Sequence, residues 1–256
     1  MSEVRDAGVV VTGAAGGIGR AIAERLVAEG ARVVVNDLDA DRLAATAAEI
    51  GAHPVPGDAA SEDGVAALVG AAREQLGAVD VWFANAGVAT EGGPEATEHD
   101  WALSFEVNVM AHVRASRLLL PDWLERGSGR FVSTASAAGL LMMLGSAPYT
   151  VSKHAAVGYA SWLRATYAHR GVVVQCLCPQ GVNTDMLAAT GRAGEVTLSE
   201  GAVEPSVVAD VVVQALADDR FLVLPHPEVE QYFQARAADG DRWLGGMNKL
   251  QRRIES

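Results

Sequence analysis

The chain has 256 residues, of which 50% are hydrophobic and 20% are charged. A chain of this length buries enough apolar surface to hold a core, so we expect a single domain over residues 1–256 that needs no disulfide or structural metal. Lys and Arg number 20 against 32 Asp and Glu, which gives a net charge of −12. This balance excludes a nucleic-acid-binding protein, because phosphate backbones are bound through clustered basic side chains.

The N-terminal sequence MSEVRDAG is acidic and lacks the basic and apolar stretches of a secretion signal. No apolar run approaches the roughly 20 residues that cross a bilayer. We therefore expect a cytoplasmic protein with no membrane partner.

The two cysteines of the sequence, Cys176 and Cys178, lie two apart in VVVQCLCP. A strand places both side chains on one face, with geometry unsuited to a mutual disulfide. We interpret them as core thiols and expect no metal site.

Short β-branched runs alternate with Ala-rich stretches, which is typical of repeated strand–helix units. Strands are predicted, in chain order, at Val9–Thr12, Arg32–Asn36, His53–Val55, Val79–Ala84, Arg130–Thr134, Val172–Cys178 and Phe221–Leu224. Helix starts are indicated by Ser61, by Thr97 with Asp100 three residues later, and by Pro205. The pattern predicts an α/β fold: a doubly wound, mostly parallel seven-stranded sheet with helices on both faces.

Two segments depart from this alternation. Residues 183–204 follow the sixth strand at the edge where such sheets bind ligands, and we predict a substrate lid there. Residues 226–256 form a C-terminal extension that mixes aromatic and charged side chains. That composition suits packing on a neighbouring subunit, closing the substrate pocket, or ordinary surface packing.

The segment TGAAGGIG follows the first strand directly and opens a helix. Glycines let the backbone turn tightly and approach a pyrophosphate, which the N–H groups at the helix start then bind. The sequence therefore predicts a dinucleotide-binding loop of the Rossmann type. The residues predicted to bind the cofactor here are Gly13, Gly17, Ile18 and Gly19.

Asp37 ends the second strand, where its carboxylate is placed to accept hydrogen bonds from the adenosine ribose. A 2′-phosphate would be repelled by Asp37, and the loop residue Ala15 offers no cation to receive it. Arg42 lies a turn into the next helix, where we predict a solvated surface residue. These positions favour NAD over NADP.

The ends of the third and fourth strands reach the same edge of the sheet and complete the predicted cofactor site. Asp58 and Ala59 follow the third strand, and Asp58 would either bind the adenine amine or cap the loop. Asn85, Ala86 and Gly87 follow the fourth strand. We expect Asn85 to organise the backbone rather than to contact the ligand.

Tyr149 and Lys153 lie four residues apart, which places them on one face of a helix. A tyrosine with a pKa of about 10 is a poor base at neutral pH, and a neighbouring ammonium favours its phenolate. The pair is therefore a candidate acid/base centre.

The pair occurs together with Ser136, thirteen residues before Tyr149, with Asn108 and with the loops described above. This combination resembles the short-chain dehydrogenase/reductase family over about residues 8–225. The resemblance implies that Tyr149 takes the hydroxyl proton while a hydride leaves the substrate. It also implies that Tyr149 and Lys153 both contact the cofactor, and that Lys153 holds the nicotinamide ribose and lowers the Tyr149 pKa.

The resemblance implies roles for two further polar side chains. Ser136 would hydrogen-bond the substrate oxygen; Ser133 is its rival, but the family spacing to tyrosine favours Ser136. Asn108 would hold a water that connects Lys153 to solvent.

The sequence PQGVNT resembles the segment that cradles the nicotinamide in this family. Pro179, the Val182 backbone and the Thr184 side chain would lie at the cofactor's carboxamide. The family usually has Gly where Gln180 stands. We expect Gln180 to narrow the pocket or to contact the substrate.

Five apolar residues, Leu140–Leu144, separate Ser136 from Tyr149. They suit core or interface packing, or a flexible pocket wall to which Trp101, Met186 and Leu187 contribute. The second interpretation favours a hydrophobic secondary alcohol or ketone as substrate. No role is assigned to His112, His154 or His169, and no partner is indicated for His99 or His226.

The sequence thus predicts an NAD-dependent dehydrogenase that interconverts an apolar secondary alcohol and its ketone. A ketone or 3-oxoacyl reductase using NAD(P)H is an alternative, with Arg114 and Arg192 as candidates to bind a pantetheine-linked substrate. A non-catalytic NAD-binding regulatory protein is a second alternative, since a fold alone does not establish chemistry. The resemblance also implies a homo-oligomer, either a dimer or a homotetramer.

Overall fold

Seven parallel strands form one sheet in the computed structural model, which describes residues 4–191, 194, 198 and 201–256. The strands are β1 (Gly8–Thr12), β2 (Arg32–Asn36), β3 (His53–Pro54), β4 (Val81–Ala84), β5 (Gly129–Thr134), β6 (Val172–Leu177) and β7 (Leu222–Val223). Their spatial order is β3-β2-β1-β4-β5-β6-β7, so the winding reverses between β1 and β4. The predicted doubly wound α/β fold is confirmed, and the reversal creates the crevice where such sheets bind ligands.

The observed strands differ from the predicted ones mainly at their ends. β3 and β7 are shorter than predicted because each lies at a sheet edge and pairs with one neighbour. β4 begins at Val81 rather than Val79. The Val79 carbonyl instead accepts hydrogen bonds from the Trp123 indole (2.8 Å) and from Arg126 (2.8 Å). These side-chain donors take the place of the backbone N–H that a neighbouring strand would offer.

Helices connect the strands and cover both faces. They are α1 (Gly17–Ala28), α2 (Ala40–Ile50), α3 (Glu62–Leu76), α4 (Glu98–Phe105), α5 (Ala111–Arg126), α6 (Ala147–Tyr167), α7 (Asp185–Ala188), α8 (Pro205–Asp218), α9 (Glu228–Ala238) and α10 (Gly240–Glu255). A π-helical turn over Glu106–Met110 joins α4 to α5. Short 3₁₀ turns cover Ala137–Gly139 and Ala168–Arg170.

The predicted helix starts are confirmed by their capping contacts. The Ser61 hydroxyl accepts a hydrogen bond from the Gly64 N–H at the start of α3 (3.2 Å). Thr97 and Asp100 bond reciprocally at the start of α4, which satisfies N–H groups that have no partner within the helix. Pro205 occupies the first position of α8.

Apolar side chains of the strands fill two core layers, one on each face of the sheet. Val9 packs with Ile22 of α1 and Val208 of α8 on one face. Val10, pointing the opposite way, packs with Leu68 of α3 and its neighbours on α5 and α6. This two-sided burial explains why the strands are apolar throughout.

Cys176 and Cys178 are buried and unlinked, with their sulfur atoms 3.7 Å apart, as expected for core thiols. None of the described helices is long and apolar enough to span a membrane. Within the described residues, no group of three or more His, Cys, Asp or Glu side chains is arranged to hold a metal ion.

Candidate active site

A cleft of about 810 Å³ opens at the carboxyl ends of the strands. This volume lies within the range of about 300–1,000 Å³ that is usual for ligand pockets. Of the predicted site residues, these line the cleft: Gly13, Gly17, Ile18, Gly19, Asp37, Asp58, Ala59, Asn85, Ala86, Gly87, Ser136, Tyr149, Lys153, Pro179, Val182 and Thr184. Asn108 does not line it and lies buried behind the wall.

The glycine loop forms the floor of one end of the cleft. Gly13 has a φ of +63°, and a Cβ there would lie 2.8 Å from the Ala86 Cα. The N-cap of α1 is Gly16, and no side chain of the described residues caps the N–H groups that follow it. Bare N–H groups at a helix start, reached through a loop without side chains, suit a pyrophosphate. The residues present therefore fit a dinucleotide.

Gly19 provides a direct test of this loop. A Cβ at Gly19 would overlap the carbonyl oxygen of Gly13, so we expect Gly19→Ala to displace the loop from the start of α1. The dissociation constant for NADH, measured by fluorescence titration, should rise at least about tenfold, equivalent to about 1.4 kcal/mol.

Gly70→Ala is the matched control, since Gly70 lies within α3 and nothing lies within 4 Å of its added Cβ. It should leave NADH affinity unchanged and raise the unfolding free energy by about 0.5–1 kcal/mol. Equal NADH affinity in both variants would contradict the assignment of the loop.

The Asp37 carboxylate is held in place at the end of β2. Its oxygens accept hydrogen bonds from the Ala15 N–H (3.0 Å) and the Asp39 N–H (3.3 Å). This ties the carboxylate to the glycine loop, beside the cleft. A carboxylate oxygen can accept more than one hydrogen bond, so ribose hydroxyls remain acceptable partners.

Arg42 is a half-exposed surface residue, as predicted, and it also lines the cleft. Its guanidinium lies next to Gly16 and pairs with Asp185 of α7 at 3.0 Å. The contact with the cleft was not predicted, because it depends on a residue far away in the chain. A cation therefore stands at the cofactor end of the cleft, already paired with a carboxylate.

The loop after β3 is organised by Asp58. Burial alone would raise the pKa of this carboxyl, but hydrogen bonds from Ala60 and Ser61 and the charge of Arg114 bring it below its ordinary 3.8. Its oxygens accept from the Ala60 N–H (2.8 Å) and the Ser61 N–H (3.2 Å). The capping role is therefore present, and contact with adenine stays a prediction.

Asn85 organises the backbone, as expected. Its amide donates hydrogen bonds to the carbonyl oxygens of Thr12 (2.9 Å) and Gly13 (3.2 Å). The end of β4 is thereby joined to the glycine loop.

Tyr149, Lys153 and Ser136 stand together in the wall of the cleft. The Lys153 ammonium nitrogen lies 5.6 Å from the centre of the Tyr149 ring and donates to the Thr134 carbonyl at 3.0 Å. The Ser136 hydroxyl accepts from the Ala138 N–H at 3.0 Å and lies 3.5 Å from the Pro179 carbonyl oxygen. The Ser136 hydroxyl also hydrogen-bonds the Tyr149 side chain, and both residues line the cleft.

Burial governs the pKa values of this pair. It lowers the pKa of Lys153 to about 8 and raises that of Tyr149 above its ordinary 10.0, although the Ser136 hydrogen bond opposes the second shift. Burial is the largest influence on the Tyr149 phenol, and the lowering of its pKa by Lys153 stays a prediction.

Asn108 lies at the centre of the π-helical turn and is completely buried. Its amide donates to the Val88 carbonyl (2.9 Å) and to the Ser152 hydroxyl (3.0 Å), and its oxygen accepts from the Val88 N–H (3.0 Å). It ties the loop after β4 to α6, next to Lys153. Its role as a water ligand stays a prediction.

Ser133, the rival of Ser136, is engaged elsewhere. Its hydroxyl bonds to Nδ1 of the buried His112 at 3.0 Å. Burial, together with the charge of Lys153, lowers the pKa of His112 to about 3, so this imidazole is neutral. The geometry favours Ser136 as the serine of the site.

The opposite wall of the cleft is mainly apolar. Within the apolar run Leu140–Leu144, Leu140 packs in the core, and the four residues that follow it line the cleft. The run therefore serves partly as core and partly as pocket wall. Trp101 is absent from the lining, contrary to expectation, because α4 holds it away from the cleft. Apolar and aromatic residues of the lining include Leu141, Met142, Met143, Leu144, Met186, Leu187, Tyr232, Trp243, Met247 and Leu250.

The C-terminal extension supplies the last four of these residues, from α9 and α10. Arg236 of α9 donates to the carbonyl oxygens of Leu140 and Leu141 and contacts Nε2 of His154 at 3.0 Å. Its guanidinium also lies 5.2 Å from the Trp243 ring centre. Of the alternatives left open for the extension, closing the pocket of its own chain is the one observed.

The predicted lid is described only in part. Within residues 183–204, Thr184, Met186, Leu187, Thr190 and Leu198 line the cleft, and residues 192–193, 195–197 and 199–200 lie outside the described residues. Arg192 is among the latter. Gln180 lines the cleft with its side-chain oxygen buried, and no described group donates a hydrogen bond to that oxygen.

Comparison with known proteins gives a consistent result. A family profile described as short chain dehydrogenase matches residues 7–194. The chain is 38% identical over 232 residues to 1-deoxy-11-beta-hydroxypentalenate dehydrogenase of Streptomyces exfoliatus, covering 86% of this chain and 82% of the relative. It is 30% identical to ketoacyl reductase HetN of Nostoc sp., covering 100% and 95% of the two chains.

A solved structure is also similar over nearly the whole chain. It is a short chain dehydrogenase/reductase from Burkholderia phymatum in complex with NAD. The TM-score is 0.85 at 31% identity, covering 94% of this chain and 96% of that one.

Proposed function

Because the chain belongs to the short-chain dehydrogenase/reductase family, we propose that this oxidoreductase is NAD-dependent and interconverts an apolar secondary alcohol and its ketone. The observation that carries the proposal is the grouping of Tyr149, Lys153 and Ser136 in a cleft whose opposite wall is apolar. An acid/base group beside a hydroxyl donor suits the proton transfer of alcohol oxidation.

When bound, NAD supplies the oxidising power of the reaction as the acceptor of a hydride from the carbinol carbon. In its phenolate form, which the Ser136 hydrogen bond favours, the Tyr149 oxygen takes the hydroxyl proton of the alcohol and becomes a neutral phenol. Ser136, fixed by the Ala138 N–H at 3.0 Å, donates to the substrate oxygen and opposes the charge that develops there. Lys153, held by the Thr134 carbonyl at 3.0 Å, binds the nicotinamide ribose.

The choice of NAD rests on Asp37, whose carboxylate repels a 2′-phosphate. Among the described residues that line the cleft, the basic side chains are Arg42 and Lys153. Arg42 already pairs with Asp185. The similar structure from Burkholderia phymatum, which is a complex with NAD, supports the same choice.

Asp37→Ala tests this choice. We expect the ratio of kcat/KM for NAD⁺ to that for NADP⁺ to fall at least about tenfold, because the repulsion of the 2′-phosphate is removed while the ribose loses its acceptor. The ratio is measured with a panel of apolar secondary alcohols, by following absorbance of the reduced cofactor.

Asp41→Ala removes an equal charge from the first turn of α2 and is the control for long-range electrostatics. A wild-type preference for NADP⁺, or an equal change of the ratio in both variants, would overturn the role of Asp37.

An apolar substrate is supported by the leucine, methionine and tryptophan side chains of the cleft. The Streptomyces exfoliatus relative is named for a hydroxy compound, which agrees with an alcohol as substrate. A pantetheine-linked substrate is less well supported. Arg114 bonds to the Ala60 carbonyl and to Glu106, both at 2.5 Å, and it does not line the cleft.

We also propose that the protein acts in the oxidative direction, in a cytoplasm rich in NAD.

We further propose that the protein is a homo-oligomer. Helix α6 carries the exposed apolar side chains Val151 and Trp162, which are 44% and 55% exposed. A second copy of the chain packed on this face would bury them.

A further inference from the structure

His226 lies between Pro225 and Pro227, after β7, and is 3% exposed. Its Nδ1 accepts a hydrogen bond from the Gln180 N–H at 3.1 Å, and its Nε2–H donates to the Gly181 carbonyl at 2.9 Å. One imidazole thus holds both ends of a short backbone segment that is 45 or 46 residues away along the chain.

The held segment connects to the proposed site on both sides. Upstream, the Pro179 carbonyl accepts from the Ala137 N–H at 2.8 Å and lies 3.5 Å from the Ser136 hydroxyl. Downstream, Val182 and Thr184 line the cleft. Any shift of this segment therefore moves both Ser136 and the wall assigned to the nicotinamide.

We propose that His226 is a positioning residue, which clamps the Gln180–Gly181 backbone and thereby sets the nicotinamide wall and Ser136. This inference rests on the proposed function. The clamp requires the neutral tautomer with hydrogen on Nε2, because Nδ1 must accept from an N–H group.

The two contacts of the clamp differ in importance. The Gly181 carbonyl also accepts from the Val203 N–H at 3.0 Å, so it keeps a partner when His226 is removed. For the Gln180 N–H, His226 is the one acceptor found among the described residues. Losing Nδ1 leaves the partly buried Gln180 N–H without a protein acceptor, which costs more than losing a shared bond.

Three variants separate these contacts. His226→Leu removes both. In His226→Asn the side-chain oxygen reaches about as far as Nδ1 and restores the acceptor for Gln180. In His226→Gln the amide reaches about as far as Nε2 and restores only the donor for Gly181. Val229→Ala, at a fully buried position at the start of α9, is the control for lost stability.

The primary readout is calorimetric binding of NADH and of ADP-ribose, which lacks the nicotinamide. His226→Leu should weaken NADH binding about tenfold and leave ADP-ribose binding within about twofold, as expected when a partly buried N–H group loses its acceptor. His226→Asn should restore most of the loss and His226→Gln little of it. kcat should follow the same order, since Ser136 moves with the segment.

The inference is overturned if His226→Leu weakens both ligands equally, if Val229→Ala gives the same pattern, or if Gln rescues better than Asn. Failure of the proposed function is distinguishable from these outcomes. In that case the wild-type protein binds neither ligand, or binds NADH without turnover on any alcohol or ketone while the order among the variants persists.

Discussion

Tyr149→Phe is expected to abolish turnover while NADH affinity stays within about twofold of wild type. The phenol oxygen is the group assigned to take the substrate proton, and loss of such a group costs about 10²–10⁴-fold in rate. The ring itself remains, so the cleft wall and the contact with the Lys153 ammonium, 5.6 Å from the ring centre, are kept. Steady-state kinetics and NADH fluorescence titration measure the two quantities.

Tyr159→Phe makes the same chemical change ten residues further along α6. Its hydroxyl bonds to Ser116 at 2.6 Å, on the α5 side of the helix and outside the cleft. We expect unchanged kinetics and a loss of about 1 kcal/mol in unfolding free energy. Turnover by Tyr149→Phe within about tenfold of wild type would refute the acid/base assignment.

Lys153→Met is expected to lower kcat/KM by about 10²-fold or more and also to stabilise the protein at pH 7. Burial lowers the pKa of Lys153 from 10.5 to about 8, so the folded state binds the proton less tightly than the unfolded state does. Keeping the buried ammonium charged therefore costs folding free energy, at most about 3 kcal/mol below pH 8, and Lys153→Met removes this cost. The lost hydrogen bond to the Thr134 carbonyl reduces the gain.

The pH dependence of this gain has a definite sign. Between about pH 8 and 10.5 the unfolded chain holds a proton that folded Lys153 has released, so the wild-type protein gains stability from this residue as pH rises. The stability difference between variant and wild type should therefore shrink from pH 7 to pH 10. The hydrogen bond with Cys178 and burial raise the pKa of Cys176, and the charge of Lys153 opposes that rise, so both proteins are compared in a Cys176→Ala background. A difference that is constant with pH would contradict the buried ammonium.

The fold was predictable because its determinants are local. Alternating β-branched and Ala-rich runs, and caps such as Thr97 with Asp100, each depend on neighbours a few residues away. Topology then places the ends of all parallel strands at one edge, so Gly13, Asp37 and Asn85 were assigned to one cleft without coordinates.

The remaining features of the site depend on contacts between distant residues. Arg42 pairs with Asp185, 143 residues away, and Arg236 reaches Leu140, 96 residues away. For the same reason, the sequence alone does not show that α9 and α10 form part of the pocket wall. A signal for His226 did exist, because a histidine between two prolines, just after the last strand, stands in a rigid segment at the ligand edge.

Deuterium transfer tests the central claim most directly. Wild-type protein is incubated with NAD⁺ and apolar secondary alcohols carrying deuterium on the carbinol carbon, and the NADH formed is analysed by mass spectrometry. The account predicts one deuterium in each NADH molecule, with no NADH formed by Tyr149→Phe. NADH without deuterium, or no NADH from any alcohol of the panel, would contradict hydride transfer from an apolar secondary alcohol at this site.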